Sequence, residues 1–410
     1  MQFKHQQYFI QEISLLDLAN QFGTPVYVYD ADKIVEKINE LRQAFPQVNL
    51  KIKFACKALT NVSILGLMRQ NGVEIDVVSP QELQLALHAG YRGEQVTFTP
   101  SGVSFDEIEA AVAAGAIVNL DNLVVLEKFG QRYGHNVPCM IRIKPNVAAG
   151  GNAKIMTAHE GSKFGIDIRQ RVDILQIVHK YNMQVIGLHQ HTGSDIKEAE
   201  AFVRAADVIF DFATEFAHLQ IIDLGGGFKV AYKDGDPTTD MPRLGQQLSE
   251  AFLELSQKIG RPLQLWFEPG KFLVSEAGIL LVNVNVVKQT PGRTFVGVNS
   301  GLNHLIRPMM YDAYHHIINV SNPNGPNKVY DVVGYICETD TFAQNRELSE
   351  VRENDVLALL NAGAYGFTMS SQYNSRFRPA EVLIYEGKAH LIRHRESMED
   401  ILRNQILLNF

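Results

Sequence analysis

From residue 52 onward the chain alternates short apolar, β-branched runs with amphipathic segments, and it does so eight times. The runs cover 52–58, 73–79, 96–99, 117–121, 139–145, 185–193, 220–225 and 263–270. Segments of helical periodicity lie between them, such as 80–89, 105–114, 167–181 and 244–259, and an earlier helix over 31–44 precedes the first run. The runs are nearly continuous in apolar residues, the pattern of strands buried on both faces. Eight such units in about 250 residues predict an α/β fold built on a parallel (β/α)8 barrel of the TIM type. A doubly wound open sheet is the structural alternative.

The pattern changes after residue 277. Runs at 278–287, 293–299, 329–337, 355–360 and 382–385 are β-rich, with turn signals and little helix between them. They predict a second, mostly antiparallel β domain. The β-rich segment 24–30 is expected to pair into it. That makes the organisation discontinuous, with a barrel over 31–275 and a β domain made of 1–30 and 276–410. The Gly/Ala-rich stretch 146–162 follows the fifth run and is expected to lie over the barrel mouth as a lid.

Composition removes several classes of function. Of 410 residues, 46% are hydrophobic and 20% charged, the balance of a soluble globular chain. The net charge of −7 and the lack of any basic run argue against a nucleic-acid partner. No stretch is apolar enough to span a bilayer, and the first residues lack the apolar core of a secretory signal. The three cysteines, Cys56, Cys139 and Cys337, stand far apart with no metal-ligand spacing. No disulfide framework and no zinc site are expected, and a cytoplasmic location is the simplest reading.

Barrel enzymes carry their chemistry at the carboxyl ends of the strands. Here those ends offer Lys57, then Asp76 and Ser79, then Arg142, then His189, His191 and Ser194, then Gly225, Gly226 and Gly227, and finally Glu268, Gly270 and Lys271. A lysine ending an apolar strand either emerges into solvent or serves as an amine nucleophile in a partly dry pocket. Three consecutive glycines are often a plain turn. After the seventh barrel strand, however, they occupy the recurrent phosphate site, where Ser194 can add a hydroxyl. A phosphate cradle, a strand-end lysine and a strand-end glutamate together indicate pyridoxal phosphate, with Glu268 keeping the pyridine nitrogen protonated. His191 and His189 alternate along a strand, so one of them is expected to face the interior and stack on the ring. Two structural histidines or a metal pair are the alternative, with metal disfavoured by incomplete coordination.

These residues resemble the alanine-racemase-like barrel family of pyridoxal-phosphate enzymes, and within it the diaminopimelate decarboxylases. The resemblance runs through FGTPVYVYD (22–30), FACKA (54–58), IDVVSPQEL (75–83), SKFGI (162–166), GLHQHTGS (187–194), DLGGGF (223–228) and EPGK (268–271). It continues through NHLIRPMMYDAYH (303–315), GYICE (334–338) and GAYGFTMSSQYNSRFRPAEVLI (363–384). It implies that Lys57 carries the cofactor, that His191 stacks on its ring, and that Glu268 partners the ring nitrogen. Ser194, Gly227 and Gly270 match its phosphate contacts, and Gly226 and Lys271 join the cofactor-binding set. Arg307 and Tyr311 match residues gripping the substrate carboxylate at the non-reacting L-centre, with Lys271 as a third. Cys337 matches the proton donor, Glu338 the partner of the distal ammonium, and Tyr365 a tyrosine touching cofactor and substrate. The resemblance also implies a homodimer in which Cys337 and Glu338 serve the neighbouring subunit's barrel. Its expected reaction is conversion of meso-2,6-diaminopimelate to L-lysine and carbon dioxide.

Three departures stand out. The family's EPGR is EPGK here, so Lys271 keeps the charge and loses the bidentate fork. The family's CESGD reads CETDT (337–341), with the acid one place early, and Asn299 stands where an aspartate is common. The alternatives are a decarboxylase of D-ornithine, D-lysine or carboxynorspermidine, a racemase, or an inactive homologue. Arg307 and Tyr311 speak against substrates lacking a second carboxylate, and Glu268 speaks against a racemase.

Overall fold

The computed structural model describes residues 1–147, 161–233 and 235–410, so most of the expected lid, 148–160, lies outside the described residues. The chain divides into two compact units. One comprises Glu36–Val230 and Pro237–Leu273, and the other Met1–Val35, Ala231–Asp236 and Val274–Phe410.

The first unit is a closed parallel barrel. Its strands are Asn49–Ala55, Glu74–Val77, Val96–Phe98, Ile117–Leu120, Cys139–Lys144, Val185–His189, Ile221–Asp223 and Gln264–Phe267. Each pairs in parallel with the next, and the eighth pairs with the first, so no edge remains. The helices begin where side chains can cap them. Asn61 accepts from the Ser63 N–H at 3.0 Å. Ser79 accepts from the Glu82 N–H at 3.1 Å while the Glu82 carboxylate takes the Val78 N–H, so this strand-end serine is a helix cap. Low in the barrel Lys53 is fully buried, with Nζ 2.9 Å from Glu74 and 3.9 Å from the Trp266 ring centroid. The ring and carboxylate replace the water that a buried ammonium loses.

The second unit is built on a mixed, mostly antiparallel sheet. Its strand order is Thr341–Ser349, Asn327–Val333, Thr294–Val298, Gly278–Gln289, Val26–Asp30, Ala380–Tyr385 and Lys388–Arg393. Val26–Asp30 lies mid-sheet, antiparallel to Gly278–Gln289 and parallel to Ala380–Tyr385. Its VYVYD sequence is buried on both faces through Tyr29, as a central strand requires. Val26, Val28, Ile279, Leu281, Val382 and Ile384 form one core with Leu15 and Leu18 of the helix Leu15–Phe22.

Candidate active site

The barrel unit gathers its polar residues at the strand ends. The first strand stops at Ala55, and a single 3-10 turn, Cys56–Ala58, presents an exposed Lys57 between two buried neighbours. Around it lie Asp76, Arg142, His189, Asp223 and Glu268, all buried. His189 Nε2 is 3.0 Å from Glu268 Oε2. The Glu268 N–H donates to the Gly225 carbonyl at 2.7 Å, and the Gly225 N–H donates to Asp223 Oδ1 at 2.8 Å. The ends of the sixth, seventh and eighth strands are thus sewn into one polar floor.

Electrostatics give these groups different charges. Burial pushes Glu268 up, but the His189 ring and the Lys57 ammonium outweigh it and hold the carboxyl at about 2. Asp76 and Asp223 go the other way, raised by burial and then by the Glu268 charge. Burial likewise lowers His189, so its ring is neutral at pH 7 and donates its Nε2–H to Glu268. His191 is pushed down to about 3 by burial and then by Arg142 and Lys57. Its Nδ1 accepts from the Gly226 N–H at 3.2 Å, which fixes the tautomer with the proton on Nε2.

The expected alternation of the two histidines does not hold. The strand ends at His189, so the two-residue period stops there: His189 bonds Glu268, while His191 lies beyond the strand and takes the Gly226 N–H. The glycines also have a reason that spacing did not reveal. Gly227 has φ +104°, and a Cβ there would sit 2.2 Å from the Gly193 carbonyl; at Gly226 it would sit 2.5 Å from that of Glu268. Gly270 immediately precedes the short helix Lys271–Val274. Ser194 is half-buried, and beside it Asp195, at φ +63°, places Oδ1 2.6 Å from Lys271 Nζ. The ammonium expected to grip substrate is thus held by a carboxylate within its own unit.

A pyridoxal cofactor fits this floor. Glu268 is ionised, one oxygen is bound by His189, the raised Asp223 carboxyl also hydrogen-bonds the group, and among the described residues the buried Oε1 has no standing donor. A buried anionic oxygen of that kind calls for a donor, which a protonated ring nitrogen supplies. His189, Asp223 and Glu268 also bring one ligand atom each within 4.8 Å of one another.

The β unit holds the remaining candidates. Arg307 opens the helix Arg307–Tyr311 and is buried; Tyr311, at its end, is half-buried. Cys337 is exposed, unlike the buried Cys56 and Cys139, so it is no small core hydrophobe. Its thiol donates to Glu338 Oε2 at 3.3 Å, and Glu338 also accepts from the Tyr373 hydroxyl. Tyr365 has φ +56°, a conformation that a bulky residue adopts only where its surroundings enforce it.

A model of the pyridoxal-binding domain of pyridoxal-dependent decarboxylases matches residues 31–275. The diaminopimelate decarboxylase of Methanothermobacter thermautotrophicus is 37% identical over 401 residues, covering 95% of this chain and 93% of that one. The chain belongs to the diaminopimelate decarboxylase family. The enzyme from Bacillus subtilis is 34% identical over 98% of this chain and 96% of its own length. The crystal structure of the M. jannaschii diaminopimelate decarboxylase in complex with L-lysine superposes with a TM-score of 0.91 at 30% identity, covering 99% of this chain and 98% of that one. The family is pyridoxal-dependent, in agreement with the floor around Glu268.

Proposed function

We propose that this chain decarboxylates meso-2,6-diaminopimelate to L-lysine and carbon dioxide, the last step of lysine biosynthesis. The observation that carries the reading is Glu268, a buried, ionised carboxylate with one oxygen bound by His189 and one awaiting a donor. When bound, pyridoxal phosphate supplies an electron sink for the bond that releases carbon dioxide. Lys57 offers the amine that carries the cofactor. Glu268 keeps a proton at the ring nitrogen, and the neutral His191 offers a flat face for the ring. Ser194, Gly227 and Gly270 are assigned to its phosphate, and Gly226, Lys271 and Tyr365 to the cofactor as a whole.

Arg307 and Tyr311 grip the carboxylate of the L-centre, a charge-assisted contact plus an orienting hydroxyl. Glu338 takes the distal ammonium, and Cys337 returns a proton to the carbon that lost its carboxylate. The exposure of Cys337 and Glu338 supports service to a second copy's barrel, and hence a homodimer. Among the described residues no helix is long and apolar enough to cross a membrane. A cytoplasmic location accords with three free cysteines.

Incubating the protein with pyridoxal phosphate and meso-diaminopimelate, with D-lysine and D-ornithine in parallel, tests the reading. L-lysine and carbon dioxide from diaminopimelate alone is the expected result. Turnover only of the mono-carboxylate amines overturns the substrate assignment.

A further inference from the structure

Arg307 is a buried cation without an anion. Among the described residues no carboxylate lies within ion-pairing distance of it, and its Nε, also buried, has no hydrogen-bond partner. A guanidinium in that state needs neutral acceptors to hold it, or it turns toward the nearest anion at the expense of geometry. One acceptor is present. Nη2 donates to the Tyr232 hydroxyl at 3.1 Å, and the guanidinium carbon lies 5.4 Å from the centroid of the same ring.

Elementary donor rules give the Tyr232 hydroxyl's bonds to Arg307 and Ser275 a direction. Arginine can only donate, so the Tyr232 oxygen accepts there. The Tyr232 hydroxyl is 3.1 Å from Ser275 Oγ, and Ser275 Oγ donates to the Asn361 carbonyl at 3.3 Å. A carbonyl can only accept, so the serine proton points at Asn361 and the tyrosine proton points at Ser275. The phenol oxygen is left as a fixed acceptor for Arg307. The ring is positioned as well. It meets His315 edge-on at 5.8 Å, and the Tyr232 backbone N–H donates to Asp236 Oδ2 at 3.1 Å. The carbonyl before it, that of Ala231, accepts from Asn361 Nδ2 at 2.6 Å. Tyr232 is buried, and no motif marked it in the sequence.

We propose that Tyr232 is a positioning residue for the substrate grip. With Ser275 behind it, Tyr232 fixes the Arg307 guanidinium so that Nε stays available to the L-centre carboxylate of diaminopimelate. The proposal rests on the reading of Arg307 as that grip. It also explains how one arginine serves where Lys271 is engaged by Asp195.

The test uses the holoenzyme and three variants, Tyr232→Phe, Ser275→Ala and Arg307→Ala. KM and kcat are measured for meso-diaminopimelate, with inhibition by L-lysine, which keeps the same carboxylate. Losing one hydrogen bond to a charged group predicts about a tenfold rise in KM and in the lysine inhibition constant for Tyr232→Phe, with kcat within about twofold. Ser275→Ala, which removes no group touching Arg307, should give a smaller rise in the same direction. Adding Tyr232→Phe to Arg307→Ala should raise KM no further. An unchanged KM in Tyr232→Phe and Ser275→Ala beside a raised KM in Arg307→Ala overturns the positioning role and leaves the grip standing. An unchanged KM in Arg307→Ala means that the grip itself was misassigned. A loss of kcat at constant KM in Tyr232→Phe also overturns the proposal.

Discussion

Among the described residues of the barrel floor Lys57 is an exposed strand-end side chain, while the carboxylates and imidazoles around it are buried or half-buried. Replacing it with alanine should abolish the visible cofactor band and lower turnover by several orders of magnitude. A variant that still decarboxylated at an appreciable rate would refute its role. Lys271 makes a different prediction, because its partner is protein. Breaking the mostly buried pair with Lys271→Met strands the Asp195 carboxylate and should cost roughly 3 kcal/mol of stability in urea titration. The double variant with Asp195→Leu should recover most of that loss. Additive losses would show that the two side chains do not act as a pair.

The turn that carries Cys337 and Glu338 is held by one residue. Asp340 accepts the Leu302 N–H at 2.8 Å and the Ile336 N–H at 3.1 Å, while its carbonyl takes the Gly334 N–H at 2.8 Å. Asp340→Ala leaves two backbone donors without a partner, at a cost of roughly 2 kcal/mol. Hydrogen exchange should quicken over 334–340, and kcat should fall more than KM rises as the thiol loses its place. Unaltered exchange in that segment would count against this account. The shifted acid in CETDT is thus the pin of its loop, which spacing alone did not disclose.

Legibility differed in the same way from element to element. Barrel strands were readable because burial on both faces leaves unbroken apolar runs. Thr341–Ser349 and Lys388–Arg393 were not, since their exposed, polar faces resemble loop. In the site, Lys57 and Glu268 were legible as strand-end charges. The bond from His189 to Glu268 was not, for it joins residues 79 apart across strand ends where periodicity no longer applies. Tyr232, a lone aromatic in a loop, carried no signal at all.

For the molecule as a whole, the histidines that burial pushes down weaken the fold in acid, against the opposite contribution of the raised Asp76 and Asp223. His191, His304 and His315 are pushed down to about 3, 4 and 3, in each case chiefly by burial. Their unfolded value is about 6.5, so each contributes stability that is present above that pH and lost as the pH falls toward the folded value. Each can remove up to about 1.4 kcal/mol per pH unit in that window. The double variant His304→Asn, His315→Asn of the cofactor-free protein should therefore lose less of its urea midpoint between pH 7 and pH 5 than the parent, and an unchanged pH slope would contradict it. Assembly is testable by mixing two inactive variants, Lys57→Ala and Cys337→Ala, after unfolding and refolding together. Shared sites in a homodimer regenerate about a quarter of the activity. No recovery would place both residues on one subunit's site.

The strand Val26–Asp30 is made before the whole barrel, yet its neighbours are Gly278–Gln289 and Ala380–Tyr385, made after it. At roughly 5 to 20 residues per second, the ribosome supplies the second neighbour on the order of 20 to 70 seconds after the strand emerges. Until Gly278–Gln289 is made, VYVYD is an apolar ribbon with both backbone edges open, and one edge stays open until Ala380–Tyr385 follows, while the barrel between can already close. A nascent chain of this protein therefore carries an apolar strand with an open edge until residue 380 is made, and a message cut short before that point leaves it half-covered.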